Sequence, residues 1–256
     1  MHRKKLKLAI ISLTACEGCQ VVILDLGRKF LDLLKKNYEL AEMPLIEDKP
    51  DAPRYDVCIV EGTVITKQDK IRLQKARKKS KILIALGSCA CLGGIPEIKN
   101  YTDKHQAVKY VYQNIKKIDN PEIRPLREFV KIDLELPGCP PTGSEILEAL
   151  NQLSYGRIYQ IAKRPVCYDC QLATTPDCFL QKNQLCLGPV SITGCKAVCP
   201  KNNYRCEGCR GLLLDKTNNN IKNILKLFKQ RTSQKEIDLL FQKFGLKDDV
   251  ELGSKI

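Results

Sequence analysis

Two rhythms of apolar and polar residues interleave over the first 155 positions. Leu6 to Leu13, Tyr55 to Val60, Lys81 to Leu86 and Phe129 to Leu136 are short apolar runs, and runs of this length between turn residues predict buried strands. Between them, Val21 to Leu40, Thr66 to Ser80, Asp103 to Ile118 and Ser144 to Leu153 carry apolar residues at helical spacing. Strands alternating with helices predict an α/β fold with a doubly wound parallel sheet of the flavodoxin type. From about residue 156 the rhythm stops. Pro165, Pro176, Gly188, Pro189, Gly194 and Pro200 punctuate a stretch of weak periodicity, and two amphipathic helices are expected after it, Ile221 to Phe228 and Gln234 to Phe244. Three segments result: a flavodoxin-like domain over 1–155, an irregular domain over 156–212 and a helical tail over 213–256, the last a plausible docking element.

Composition adds a second layer. The chain has 256 residues, of which 43% are hydrophobic, so a normal core is within reach. No segment is long and apolar enough to span a bilayer. Lys4, Lys5 and Leu13-Thr14-Ala15-Cys16 imitate a lipoprotein signal, but the apolar run is short and the pattern resumes at Val21, so a buried first strand is the expected reading. The formal charge is +14. Its carriers include Lys67, Lys70, Arg72, Lys75, Arg77, Lys78, Lys79 and Lys81, spread over helical faces without interleaved aromatics, which argues for a solvated surface and against nucleic-acid binding.

The unusual quantity is 14 cysteines beside two histidines and no tryptophan. Secreted disulfide scaffolds are usually much shorter, and clustered cysteines in a chain of this size indicate a metal-binding protein of the cytoplasm. Metal binds thiolate, so the loaded protein is less basic than the bare sequence.

Placement sharpens this. Cys16 and Cys19 follow the first predicted strand, Cys89 follows the third and Cys139 the fourth. All four therefore fall beyond the carboxyl ends of parallel strands, the edge where open α/β sheets bind ligands. Four thiolates suit either a zinc ion or an iron–sulfur cluster. Gly87, Gly138 and Gly143 beside them would let backbone approach a bulky inorganic core, which favours the cluster. Eight more cysteines, Cys167, Cys170, Cys178, Cys186, Cys195, Cys199, Cys206 and Cys209, are the complement of two four-iron clusters, although Cys167/Cys170 and Cys206/Cys209 would also serve zinc knuckles. Cys58 reads as a small core residue and Cys91 as a spare; His2 and His105 read as surface residues. No Gly-rich phosphate loop follows the first strand.

Taken together, Cys16-Glu17-Gly18-Cys19-Gln20, Glu61-Gly62, Gly87-Ser88-Cys89-Ala90 with Gly93-Gly94, and Pro137-Gly138-Cys139-Pro140-Pro141 resemble the small subunit of nickel–iron hydrogenases. Cys186-Leu187-Gly188-Pro189 and Cys206-Glu207-Gly208-Cys209-Arg210-Gly211 are similar to its cytoplasmic branch, which includes sulfhydrogenase delta subunits and the small subunits of deazaflavin- and viologen-reducing enzymes. The resemblance implies three [4Fe–4S] clusters: a proximal one on Cys16, Cys19, Cys89 and Cys139, a medial one on Cys195, Cys199, Cys206 and Cys209, and a distal one on Cys167, Cys170, Cys178 and Cys186. Cys167 stands where the respiratory branch has a histidine, and Glu61 matches an acidic position near the proximal cluster. The resemblance further implies a non-catalytic electron-transfer subunit. Its partners would be a large subunit holding the nickel–iron centre and a flavin-containing or further iron–sulfur subunit, with NAD(P), deazaflavin, ferredoxin or a sulfur compound as acceptor. Two other readings stand beside it: a zinc-stabilised basic binding module, and a subunit of a complex I-like quinone reductase.

Overall fold

Three strands with consecutive buried residues form the centre of the molecule's first half. In the computed structural model, which describes residues 4–47, 52–102, 121–214 and 220–250, these are β1 (Leu6–Ser12), β3 (Tyr55–Glu61) and β4 (Ser80–Leu86). Leu8 to Ile11, Val57 to Glu61 and Leu83 to Leu86 are buried without a break. Unbroken burial of this kind belongs to a sheet covered on both faces. With β2 (Tyr38–Glu42) and β5 (Leu134–Leu136) they make a parallel sheet in the order β2-β1-β3-β4-β5. From β1 the chain runs outward to β2 and then returns to the other side as β3, so the winding reverses between β1 and β3. Such a reversal opens a crevice at the carboxyl ends of the two strands.

Helices α1 (Gly18–Leu24), α2 (Arg28–Lys36), α3 (Lys67–Lys79), α4 (Gly87–Leu92) and α5 (Gly143–Ser154) accompany the sheet. Thr66 and Asp69 close a reciprocal cap at the start of α3, which satisfies two otherwise orphaned N–H groups. The flavodoxin-type expectation holds. Two details differ. The single helix expected over Val21 to Leu40 is broken at Gly27, where φ is +52°, and its last part is the edge strand β2. Tyr38 marks that strand: it is buried and its hydroxyl donates to Leu150 O at 2.7 Å. Of the strand expected over Phe129 to Leu136 only Leu134–Leu136 pairs with β4, and a short 3-10 turn at Leu126–Glu128 lies ahead of its irregular first part. The helix expected over Asp103 to Ile118, and both histidines, lie outside the described residues.

Asp133, just before β5, ties α3 to the sheet: it accepts the Leu83 N–H at 2.9 Å and pairs with Arg77. Burial by itself would raise its carboxyl, but the Arg77 guanidinium and the Leu83 N–H hold it below the usual value of 3.8. A carboxyl lowered on folding contributes stability that is complete above its unfolded pKa and is lost as the pH falls through its folded pKa. Asp133→Asn is therefore expected to lower the thermal midpoint at neutral pH and to leave it unchanged at about pH 2. An equal loss at both pH values would exclude the charge as the cause.

The chain divides into two compact units, Met1–Gln160 and Ile161–Ile256. The second has little regular structure before its end: 3-10 turns at Val166–Tyr168 and Gly188–Val190, then α6 (Val198–Lys201), α7 (Asn220–Lys229) and α8 (Gln234–Gln242). Val166, Cys186, Ala197 and Cys206 form a small core, with Cys170, Phe179, Leu180 and Cys195 packed against it. The two final helices bury Ile221, Ile224, Phe228, Ile237, Leu240 and Phe241. Leu239, on the last helix, stays exposed. Among the described residues no helix is long and apolar enough to cross a membrane.

Candidate metal centres

The loop after β1 is drawn against the end of β3. Leu13 N–H donates to Glu61 O and Thr63 N–H to Thr14 O, both at 3.0 Å, so Cys16 and Cys19 are delivered to the crevice between the two strands. Glu17 adopts a left-handed conformation, φ 63°, and α1 begins at the next residue. Glu61, with 2% of its surface exposed, accepts the Gln20 N–H at 2.9 Å. That bond anchors the first turn of α1 and with it Cys19.

Cys89 enters from β4. Gly87 has φ +89°, and a Cβ placed on it would stand 2.5 Å from Cys19 Sγ. Only glycine lets the chain turn here while a thiol occupies that space. Cys89 lies in the first turn of α4 rather than in a loop. The fourth thiol, Cys139, follows β5, and Gly138 O accepts the Ser88 N–H at 2.9 Å, joining the two strand ends.

Electrostatics shows how close these groups are. Burial pushes the Cys19 thiol far up, and the Glu61, Cys89 and Cys16 charges add to the shift. The Cys89 thiol is pushed up to about 11 by burial, then by Cys139 and Cys16, against a backbone hydrogen bond from Ile95. Glu61 is itself raised, by burial first and by Glu17 second. Cys16 and Cys139 are exposed while Cys19 and Cys89 are half-buried, so one side of the group opens to solvent.

In the second unit, Cys167, Cys170, Cys178 and Cys186 line one small cavity. Burial pushes the Cys167 thiol up to about 12, with further increments from Cys186, Cys170 and Cys178. Gly188 forms part of the wall: its Cβ would stand 3.1 Å from Cys167 Sγ and 3.5 Å from Cys186 Sγ. The backbones of Gly188 and Cys206 hydrogen-bond to Cys186, and that of Gly208 does so to Cys206. Such bonds hold negative charge on sulfur. Cys199 feels Cys195, and Cys206 feels Cys186 and Cys209.

All fourteen cysteines carry thiols rather than disulfides. Among the described residues no three His, Cys, Asp or Glu side chains form a set for a single ion. The sulfur-only donors, the cavity and the N–H groups aimed at sulfur fit an iron–sulfur core. Cys58 and Cys91 stand apart. Cys58 is fully buried within β3, and the Cys91 thiol, also fully buried, reaches Ala85 O at 3.4 Å.

A network beside these sites escaped sequence reading. Arg210, 2% exposed, donates from Nε to Thr193 O at 2.7 Å, and the Thr193 hydroxyl donates to Asp169. Two of its members were visible as neighbours of cysteines, Asp169 inside Cys167-x-x-Cys170 and Arg210 after Cys209; nothing in the sequence joins them.

Comparison with known proteins places the chain among relatives of known family. The family model described as NADH ubiquinone oxidoreductase, 20 Kd subunit, matches residues 16–153. Sulfhydrogenase 2 subunit delta of Pyrococcus furiosus is 38% identical over 236 residues, covering 91% of this chain and 96% of that protein. A vhu subunit of the F420-non-reducing hydrogenase of Methanocaldococcus jannaschii is 34% identical over 235 residues, 80% of this chain and 81% of that protein. A chain of an NAD+-reducing [NiFe]-hydrogenase in the H2-reduced state superposes with a TM-score of 0.55 and 27% identity over 62% of this chain and 96% of its own. The [NiFeSe] hydrogenase of Desulfovibrio Vulgaris Hildenborough shares the fold, with a TM-score of 0.58 at 16% identity over 81% of this chain and 94% of its own. The family model spans the sheet unit, and the first two relatives extend the match to most of the chain. This chain belongs to the NADH ubiquinone oxidoreductase 20 Kd subunit family and, within it, to the small subunits of nickel–iron hydrogenases.

Proposed function

We propose that this chain is the electron-transfer subunit of a cytoplasmic nickel–iron hydrogenase and carries three [4Fe–4S] clusters without a catalytic centre of its own. The observation that carries the reading is the meeting of Cys16, Cys19, Cys89 and Cys139, from three separate strand ends, at one edge of the sheet. These four would hold the proximal cluster. Cys167, Cys170, Cys178 and Cys186 would hold the distal one, supported by the cavity they line, and Cys195, Cys199, Cys206 and Cys209 the medial one. The first site falls in segment 1–155 and the other two in 156–212.

When bound, such a cluster takes up and gives back one electron at a potential set by hydrogen bonds to sulfur, burial and nearby charge. The chain supplies each of these. Gly87 keeps the approach to Cys19 clear. Glu61 fixes the start of α1 and places a buried carboxyl beside Cys19. Ile95, Gly188 and Gly208 offer backbone N–H groups to sulfur. The exposed flank at Cys16 and Cys139 would face the large subunit, where the nickel–iron centre belongs. A flavin-containing or further iron–sulfur subunit would take the electrons onward.

Purified anaerobically, the chain is expected to bring a nickel-containing large subunit with it. It should contain about twelve irons with matching acid-labile sulfide, and its brown colour should bleach with dithionite. A colourless protein with about two or three zinc ions overturns the reading.

A further inference from the structure

The Cys206-Glu207-Gly208-Cys209 turn is gripped from the end of the chain. Gly208 has φ +82°, and a Cβ there would stand 2.6 Å from Leu246 Cδ1 and 3.0 Å from Leu187 Cδ1. Leu246 is fully buried, so its side chain lies directly on the middle of the turn. Beside it, Glu207 forms an ion pair with Lys243, the residue that ends α8, and approaches Arg205 at 3.6 Å. This anchorage pairs a tail residue with the middle of a cysteine motif, all within one compact unit.

The pair is within electrical reach of the thiols. Glu207 stands between Cys206 and Cys209 in the turn, and the ion pair holds the Lys243 ammonium against its carboxylate. The two members of the pair therefore bring opposite charges to the same cysteine turn. Their side chains keep 43% and 28% of their exposure, so solvent screens their fields and confines them to near neighbours.

We infer that the Lys243–Glu207 pair sets the reduction potential of the group held by Cys195, Cys199, Cys206 and Cys209, with Leu246 fixing the turn that carries the pair. The inference rests on the reading of those four cysteines as cluster ligands. Reduction adds a negative charge, which a nearby cation favours and a nearby carboxylate opposes. Lys243 is thus a positioning and tuning residue, and the helical tail is part of the electron-transfer apparatus. A simple brace would hold the turn equally well with an uncharged pair; a tuning pair would not.

The test is a redox titration followed by electron paramagnetic resonance on the full chain, purified anaerobically in its complex, with iron and sulfide measured on each sample. Lys243→Met is expected to move one cluster signal to lower potential, and Glu207→Gln to move the same signal to higher potential. Lys243→Arg should leave it in place and the double variant should return it toward wild type, all with iron content unchanged. Full iron with no signal moved, or both single variants moving it in one direction, overturns the inference and leaves the cluster reading standing. Iron lost from Lys243→Met with no potential moved in what remains makes the pair a brace and overturns it too. A wild-type chain without iron overturns the inference and the proposed function together.

Discussion

Gly87→Ala is expected to cost the protein its sheet-edge cluster, about four of about twelve irons, and with it hydrogen uptake by the assembled enzyme. Two effects add. At φ +89° a side chain is strained, by about 1–2 kcal/mol for an L residue in this region, and the new Cβ would lie 2.5 Å from Cys19 Sγ. Neither neighbour can move aside cheaply. Cys19 is fixed by α1, whose first turn is bonded to Glu61, and the Gly87 backbone continues directly from the buried strand β4. The clash therefore falls on the thiol. Because β4 itself keeps every ladder bond, far-UV circular dichroism should be nearly unchanged while iron falls. Gly156→Ala is the control: φ there is +75°, but nothing lies within 4 Å of the added Cβ, so it shares the strain without the clash and should keep its iron. Full iron content in Gly87→Ala would sink the assignment of Cys19 to the site.

Removing iron should unfold the second unit and spare the first. The irregular part of Ile161–Ile256 packs on a nucleus of Val166, Cys186, Ala197 and Cys206, with Cys170 and Cys195 among the residues against it. Four of these are proposed ligands. An apolar nucleus this small cannot offset the entropy of ordering the irregular segment around it, whereas metal-binding free energy can. The first unit has no such dependence, since its sheet buries Leu8, Ile10, Ile59, Leu83, Ile84 and Leu86 completely. Limited proteolysis before and after chelation, read by mass spectrometry, should show new cuts between residues 161 and 214 and a protected fragment from the sheet unit. Equal protection of both units after iron loss would mean that α7 and α8 supply enough core without metal.

Much of the first unit was legible in the sequence because its signals are local. Apolar runs and helical periodicity gave β1, β3, β4, α3 and α5 within a residue or two at most ends. The cap of Thr66 and Asp69 at the start of α3 was found only in the structure. The missed strand β2 had no such local signal. Its five residues follow a helix directly, and only pairing with β1 and the hydroxyl bond from Tyr38 to Leu150 make it a strand. The strand before Cys139 is shorter than its apolar run because Asp133 turns in to bind Arg77 and Leu83.

The candidate site divides along the same line. Residue types and spacing determined that cysteine would be the ligand and that four of them would stand at the ends of parallel strands, because strand direction follows from the alternation of elements. Which thiols face one another was decided only by the fold: Cys167, Cys170, Cys178 and Cys186 share a cavity, and Cys19 sits where a Gly87 side chain would be. The tail shows the limit most clearly. Its amphipathic pattern announced two helices but not their use, since an apolar stripe does not name its partner. Tertiary packing chose a partner inside the same unit and brought Lys243 and Leu246 onto the turn between Cys206 and Cys209, a contact between residues 35 to 40 positions apart that no local pattern encodes.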